Sequence, residues 1–229
     1  MSFILINKPS GPTSHDIVDQ LRRITGETKI GHAGTLDPFA DGLLLVAVGR
    51  ESTKKISKFV GLDKEYLATL KLGAVSDSYD MTGKIQETAD DKQLTINDLQ
   101  LTTDNINGIL NTFIGEQKQI PPMFSAKKIN GRRLYRLARR GLEIERQPVK
   151  IKIYKICDIK WSPVDVRLSF VVSCSSGTYI RSLAHDIGQK LGCGAYLEKL
   201  TRTKIGEFKL EQAINLEKLN KDNWEKYVI

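Results

Sequence analysis

The chain has 229 residues, enough for one large domain or for one domain with small lobes. Its 40% hydrophobic and 27% charged content is that of an ordinary folded chain and argues against a disordered or fibrous one. Lysine and arginine number 35 against 27 acids, a formal net charge of +8 that suits a polyanion partner and is equally served by solubility alone. Cys157, Cys174 and Cys193 form no CxxC pair, which favours a reduced cytosolic protein over a disulfide framework or a zinc site. Residues 1–8 lack the basic-then-apolar order of a signal peptide, and no segment approaches the length of a membrane span. The expected location is therefore the cytoplasm, with no membrane partner.

Phe3-Ile4-Leu5-Ile6 reads as a strand running into the rigid turn Asn7-Lys8-Pro9-Ser10-Gly11-Pro12. Thr13 or Ser14 can cap a helix whose Ile17, Val18, Leu21 and Ile24 share one face, and Gly26 ends it. The stretch Gly31-His32-Ala33-Gly34-Thr35-Leu36-Asp37-Pro38 follows. Pro38 pushes Asp37 out of the helical region, and the apolar run 43–48 reads as a buried strand stopped by Gly49. A fixed carboxylate beside a sheet is a candidate catalytic group, although on spacing alone a turn or capping aspartate is the simpler reading. His32 is equally well a base contact or a polar loop residue.

Residues 54–60 predict a short helix with Ile56, Phe59 and Val60 inward. Residues 65–72 have the period of a strand, with Tyr66, Ala68, Leu70 and Leu72 on its apolar face. Residues 73–83 read as a polar loop whose Asp77 and Asp80 face solvent, since their spacing offers no third metal ligand. A capped helix start is expected at 95–99, and a second helical segment over 106–113 with Ile106, Ile109, Leu110 and Phe113 on one stripe. The adjacent prolines of Gln119-Ile120-Pro121-Pro122 favour extended chain. A basic helix over 132–140 closes at Gly141, with Leu134, Leu137 and Ala138 inward and its arginines wet. Residues 149–159 and 164–173 alternate and form an antiparallel pair across Trp161-Ser162-Pro163. A helix spans 179–191, and the C-terminal part is helical through Leu219. Neither a βαβ rhythm nor a GxGxxG or P-loop signature is present, so the expected class is α+β with a mixed, mostly antiparallel sheet flanked by helices.

Charge is concentrated rather than spread. Residues 127–155 hold eleven basic side chains and two acids, Glu143 and Glu145, a local field that attracts phosphate without choosing sequence. Three regions could share a site: the Asp37 loop with His32, Tyr66 after Asp63-Lys64-Glu65, and Ser176-Gly177-Thr178-Tyr179-Ile180-Arg181 at a helix start. Each has an ordinary reading beside the functional one. Tyr66 suits a half-buried sheet position, and Arg181 suits a surface helix.

Read together, the motifs resemble the bacterial tRNA pseudouridine synthase B (TruB) family. The resemblance is carried by Ile6-Asn7-Lys8-Pro9-Ser10-Gly11, Thr13-Ser14, and His32 through Leu43 with Gly34-Thr35-Leu36-Asp37-Pro38. It continues in Tyr66, Ser125-Ala126-x-Lys128, Leu134-Tyr135, Ser176 through Arg181, and Gly192-Cys193-Gly194-Ala195 followed by Leu200. These span residues 3 to about 205 in order. The family converts one uridine of the tRNA T-loop, at tRNA position 55, to pseudouridine.

What the resemblance implies can be stated residue by residue. Asp37 is the catalytic carboxylate, Arg181 pairs with it, and Tyr66 stacks on the target uracil. Lys8, His32, Tyr179 and Leu200 belong to the substrate pocket. The insertion at about 120–147, with Lys128, Arg132, Arg136 and Arg140, grips RNA, and Gly131 and Gly141 let it move. Isomerisation needs no redox change or group donor, so no cofactor and no metal are implied. The favoured family route passes through a glycal, with addition of Asp37 to the ring or attack at C1′ as the alternatives. The family's pseudouridine synthase fold would occupy 1–210 and a short helix or tail 211–229. Ending at Ile229, the chain resembles a short form lacking the C-terminal RNA-binding (PUA) domain, with CCA-end contacts missing or reduced. The expected partner is the tRNA T-arm, bound by a monomer without guide RNA. Two other readings remain open: a non-catalytic tRNA-binding or tRNA-folding protein, and a pseudouridine synthase with another RNA substrate.

Overall fold

The computed structural model describes residues 2–88, 101–125, 127–129, 131–138 and 140–229. The expected helix start at 95–99 lies outside them. In chain order the strands are β1 (Ser2–Lys8), β2 (Ile30–His32), β3 (Asp41–Val48), β4 (Lys64–Leu72), β5 (Ala74–Ser76), β6 (Ile85–Glu87) and β7 (Gly115–Gln119). They continue with β8 (Lys128–Ile129), β9 (Arg132–Arg133), β10 (Val149–Ser162), β11 (Arg167–Cys174), β12 (Ala195–Ile205), β13 (Phe208–Lys209) and β14 (Ile214–Asn215). The helices are α1 (Ser14–Thr25), α2 (Arg50–Lys55), α3 (Ser57–Val60), α4 (Thr103–Asn111), α5 (Leu134–Ala138) and α6 (Ile180–Leu191). The chain divides into two compact units, Met1–Leu67 with Leu200–Ile229, and Ala68–Lys199.

The first unit is organised around β1 and β3, which pair antiparallel from Ser2↔Val48 to Lys8↔Gly42. β14 runs parallel to β1, and β12 runs parallel to β3 through Thr201↔Asp41 and Arg202↔Gly42. Side chains alternate across a strand, so this sheet sorts its apolar residues into two cores. Ile4, Ile6, Leu44, Val46 and Val48 meet Ile17, Val18 and Leu21 of α1 on one side. Phe3, Leu5, Leu43, Leu45 and Ala47 meet Ile205, with Ile56, Phe59 and Phe208 packed on them, on the other. This is why 43–48 is an uninterrupted apolar run: a strand covered on both faces has no polar side. Helix α1 starts at a capping box, in which the Thr13 hydroxyl accepts from Asp16 N and the Asp16 carboxylate from Thr13 N, and it stops at Gly26 with φ +75°.

The second unit carries the strand order β4-β11-β10-β7. β10 is antiparallel to β11, as the alternation predicted, with irregularities near Tyr154 and Asp158, and it also pairs antiparallel with β7, a strand the sequence did not announce. α4 packs against β10 and α6, burying Ile106 and Leu110. A small core of Met123, Leu134 and Leu137 holds α5.

Four local expectations change. Residues 73–83 are not all loop, because β5 pairs with β6 as a hairpin. The helix at 54–60 is split into α2 and α3, and Val60 is exposed. The basic helix is α5 alone. Arg132 and Arg133 belong to a hairpin of β8 and β9, although Gly141 N does close the helix on Ala138 O at 2.9 Å. The C-terminal helical stretch is broken into short 3-10 turns at Leu210–Gln212 and Leu216–Lys218, because β14 between them pairs with β1.

Candidate active site

In the first unit, the loop from Ala33 to Ala40 is fixed by two buried cations. Lys8 is 0% exposed, and its Nζ donates to the carbonyls of Ala40 at 2.7 Å, Pro9 at 2.8 Å and Pro38 at 3.3 Å. Arg202 is 1% exposed; its Nε donates to Leu43 O at 2.7 Å and its Nη2 to Gly34 O at 3.0 Å. The Ser14 hydroxyl closes a third clamp, accepting from Leu36 N at 2.9 Å and donating to Leu36 O. Gly11 N adds a bond to Pro38 O at 2.8 Å, and Ala40 N bonds Asp37 O at 3.1 Å. The peptide units around Asp37 are therefore held while its side chain stays partly exposed. Such preorganisation is what a reacting carboxylate needs.

Charge follows from this packing. Burial pushes the Lys8 ammonium down to about 8, and the carboxylates of Asp41 and Asp37 pull it back up. Half-buried His32, at the end of β2, is held below its ordinary value by burial and then by Arg202, so it is neutral at pH 7. Tyr66 lies near the start of β4 on its buried face, and Leu200 is buried on β12. Glu65, beside Tyr66, accepts from Thr203 Oγ1 and Lys204 Nζ, both at 3.0 Å.

In the second unit, Arg181 sits in the first turn of α6, after Tyr179 as N-cap. It is not a surface arginine: it is 4% exposed. Its Nη1 lies 3.4 Å from Asp80 Oδ2 and donates to Ser78 O at 3.2 Å, while Nη2 donates to Phe124 O at 2.7 Å. Asp80, expected to face solvent, is 3% exposed. Its Oδ1 accepts from Thr82 Oγ1 at 2.6 Å, Ser78 Oγ at 2.8 Å and Thr82 N at 2.9 Å. The physical reason is local: a short acid side chain bonding two residues on makes a turn, and that turn carries the carboxylate inward to a guanidinium. Asp77 does face solvent and accepts from Lys84 N. Gln119 fixes the helix entry by exchanging two bonds with the Tyr179 backbone, at 2.8 and 3.0 Å.

The predicted residues thus divide. Asp37, Lys8, His32, Tyr66 and Leu200 lie in the first unit, and Arg181, Tyr179, Lys128, Arg132, Arg136 and Arg140 in the second. Arg136 and Arg140 are exposed, and Lys128 and Arg132 lie on the two strands of the β8–β9 hairpin. Two groups escaped the sequence. Asp80 gave no periodic signal. Arg202 gave one that could have been used, because it alternates with Leu200 toward the buried face of β12.

Comparison with known proteins places the chain in a family. The TruB family pseudouridylate synthase N-terminal domain matches residues 22–180, and the tRNA pseudouridylate synthase B C-terminal domain matches residues 181–227. The chain is similar to tRNA pseudouridine synthase B of Protochlamydia amoebophila, 48% identical over 213 residues that cover 93% of this chain and 77% of that protein. It is also similar to the protein of that name from Aquifex aeolicus, 43% identical over 227 residues, 99% of this chain and 76% of the relative. Among solved structures it resembles a chain of a Cbf5-Nop10-Gar1 complex, with a TM-score of 0.70 and 31% identity over 94% of this chain. It spans about half of that longer chain, 52%. With a loop-fixed aspartate and a buried helix-start arginine at the motif positions, and family matches along nearly its whole length, the chain belongs to the TruB family of pseudouridylate synthases.

Proposed function

We propose that the chain isomerises uridine 55 in the T-loop of tRNA to pseudouridine, with Asp37, Tyr66 and Arg181 as the catalytic groups. In this reading it acts as a cytoplasmic monomer that needs neither guide RNA nor cofactor. The observation that carries it is the clamped Asp37 loop, in which Lys8 and Arg202 spend buried charge on backbone carbonyls around one partly exposed carboxylate. A binding protein has no use for that rigidity.

The chemistry is a rearrangement with no net gain or loss of atoms. The N1–C1′ bond breaks, the uracil turns, C5 joins C1′, N1 gains a proton and C5 loses one. On the glycal route Asp37 takes the C2′ proton as the glycosidic bond opens and returns it once C5 is attached. Arg181 keeps that carboxylate ionised and oriented, and the Tyr66 ring receives the base taken out of its loop. Neutral His32 can fill part of the space the uridine leaves. Arg132, Arg136 and Arg140 supply phosphate contacts that position the T-arm without reading its sequence.

The test is incubation with unmodified tRNA and with a T-arm minihelix, followed by mapping of pseudouridine. Wild type modifies one T-loop uridine in both. Asp37→Asn keeps the size of the side chain and removes its charge, so binding stays within a few fold and turnover is lost. Product formed by pure Asp37→Asn would remove the catalytic assignment.

A further inference from the structure

The sheet of the second unit has two unlike sides. Ile151, Ile153, Ile156, Leu168, Phe170, Val172 and Cys174 are buried on one. Among the described residues the other side stays open. β10 contributes Lys150, Lys152, Lys155 and Lys160 to it, β7 contributes Lys118, and all five are exposed. Between them lie small hydroxyls, with Ser173 opposite Lys155, Ser169 opposite Lys160, and Thr69 Oγ1 at 2.9 Å from Ser169 Oγ.

Two features separate this face from an ordinary solvated one. Lys118 and Lys150 are direct cross-strand partners, and like charges directly opposite each other destabilise a sheet. Glu116, on the same face, is the cross-strand partner of Lys152, with an N–O distance of 3.9 Å. Beside them, at the irregularity in β10, Tyr154 is 44% exposed, with Lys152 Nζ 5.7 Å from its ring centre. An open depression of about 370 Å³ lies at this point, lined by Lys118, Lys150, Lys152 and Ser175 together with Glu116, Gln117 and Ile151. Lysines on alternate residues of one strand stand about 7 Å apart along it. Lys150 and Lys152 at that spacing, with further lysines along the strand and an exposed ring beside them, make the kind of surface on which sequence-tolerant proteins hold single-stranded nucleic acid, the charges tracking phosphates and the ring stacking a base.

We propose that this open face of β7 and β10 is a second RNA-binding surface, for the phosphate backbone of a single-stranded segment, on the side of the sheet opposite Ile151, Ile153 and Phe170. Charge selects a polyanion, and the exposed ring selects RNA over an acidic protein. The surface does not depend on the isomerase reading, because it binds RNA without acting on uridine.

The probe is a labelled 12-nucleotide oligoadenylate, which contains no uridine and cannot be a substrate. Anisotropy titrations across a salt series compare wild type with Lys118→Gln/Lys150→Gln/Lys152→Gln and with Tyr154→Ala. We expect the triple variant to bind at least ten-fold more weakly and its salt slope to fall by about 2, at roughly 0.7 per lost phosphate contact. Tyr154→Ala should lose about five-fold or more with the slope unchanged, since stacking is uncharged. The triple variant should melt at or above the wild-type temperature, because the Lys118–Lys150 opposition is gone. Equal binding by wild type and triple variant would overturn the proposal. So would displacement of oligoadenylate by a T-arm minihelix, which would place both on one surface. Equal competition by polyglutamate of the same length would also overturn it, showing an acidic-protein surface instead.

Discussion

Asp80→Asn isolates one charge inside a buried network. The substitution keeps the volume of the side chain and an oxygen able to accept from Thr82 and Ser78, but it removes the negative charge of Asp80, whose Oδ2 lies 3.4 Å from the 4%-exposed Arg181 guanidinium. Removing one partner of a buried ion pair costs about 3–5 kcal/mol. The isosteric amide retains neutral hydrogen bonds about half as strong as those to the carboxylate. Ser78 O and Phe124 O still accept from the guanidinium. The loss should therefore be about 2–4 kcal/mol, lowering the thermal midpoint by about 4–16 °C for a chain of this size. Urea unfolding of Asp80→Asn, Arg181→Met and the double variant separates the pair from its surroundings. Arg181→Met removes the guanidinium that Asp80 faces, so the double variant should be less damaged than the two singles added together, by about 1–3 kcal/mol. Additive losses, or a single loss below about 0.5 kcal/mol, would refute the view that Asp80 exists to balance Arg181.

Lys8 predicts a pH dependence. Its ammonium titrates near 8 when folded and near 10.5 when unfolded, so between these values the unfolded chain binds more protons. Wild-type stability should therefore rise relative to Lys8→Met as pH climbs from 8 toward 10.5, and a flat difference in chemical denaturation would contradict the burial of its charge. Gly42 has φ +102°, and a Cβ there would meet Arg202 O at 2.5 Å. Gly42→Ala should lose about 1–3 kcal/mol or more, read by urea unfolding, because both the backbone and the β3–β12 contact must give. Arg132→Ala/Arg136→Ala/Arg140→Ala should weaken T-arm binding and reduce the salt slope by up to about 2–3, measured by anisotropy.

The parts of this fold that repeat were legible in the sequence. The Leu43–Val48 run, the α1 stripe of Ile17, Val18 and Leu21, and the β10–β11 alternation each state their own burial through periodicity. The motif resemblance located Asp37, Tyr66 and Arg181, whereas spacing alone left each with an ordinary alternative. Asp80 and Arg202 were missed for a common reason. Each is a charge stabilised by partners far away in the chain, Asp80 by Arg181 and Arg202 by Gly34 O and Leu43 O. A polar residue in a turn or on a strand does not reveal such a partner. Short elements such as the β8–β9 hairpin and β14 were lost because two paired residues have no period to detect.

The first unit is assembled from the two ends of the chain, and this bears on the order in which it can form during synthesis. β1 and β3 leave the ribosome early, carrying the most apolar run in the protein. Their remaining partners, β12 and β14, come only after the whole of Ala68–Lys199 has been made. At about 5–20 residues per second that interval is about 6–26 s. Throughout it the outer edge of β1 and the part of β3 that β2 does not pair stay available to other strands, in the nascent chain or in its neighbours. The late arrival of residues 200–215 therefore makes the completion of β3 a point at which a growing chain depends on protection from aggregation.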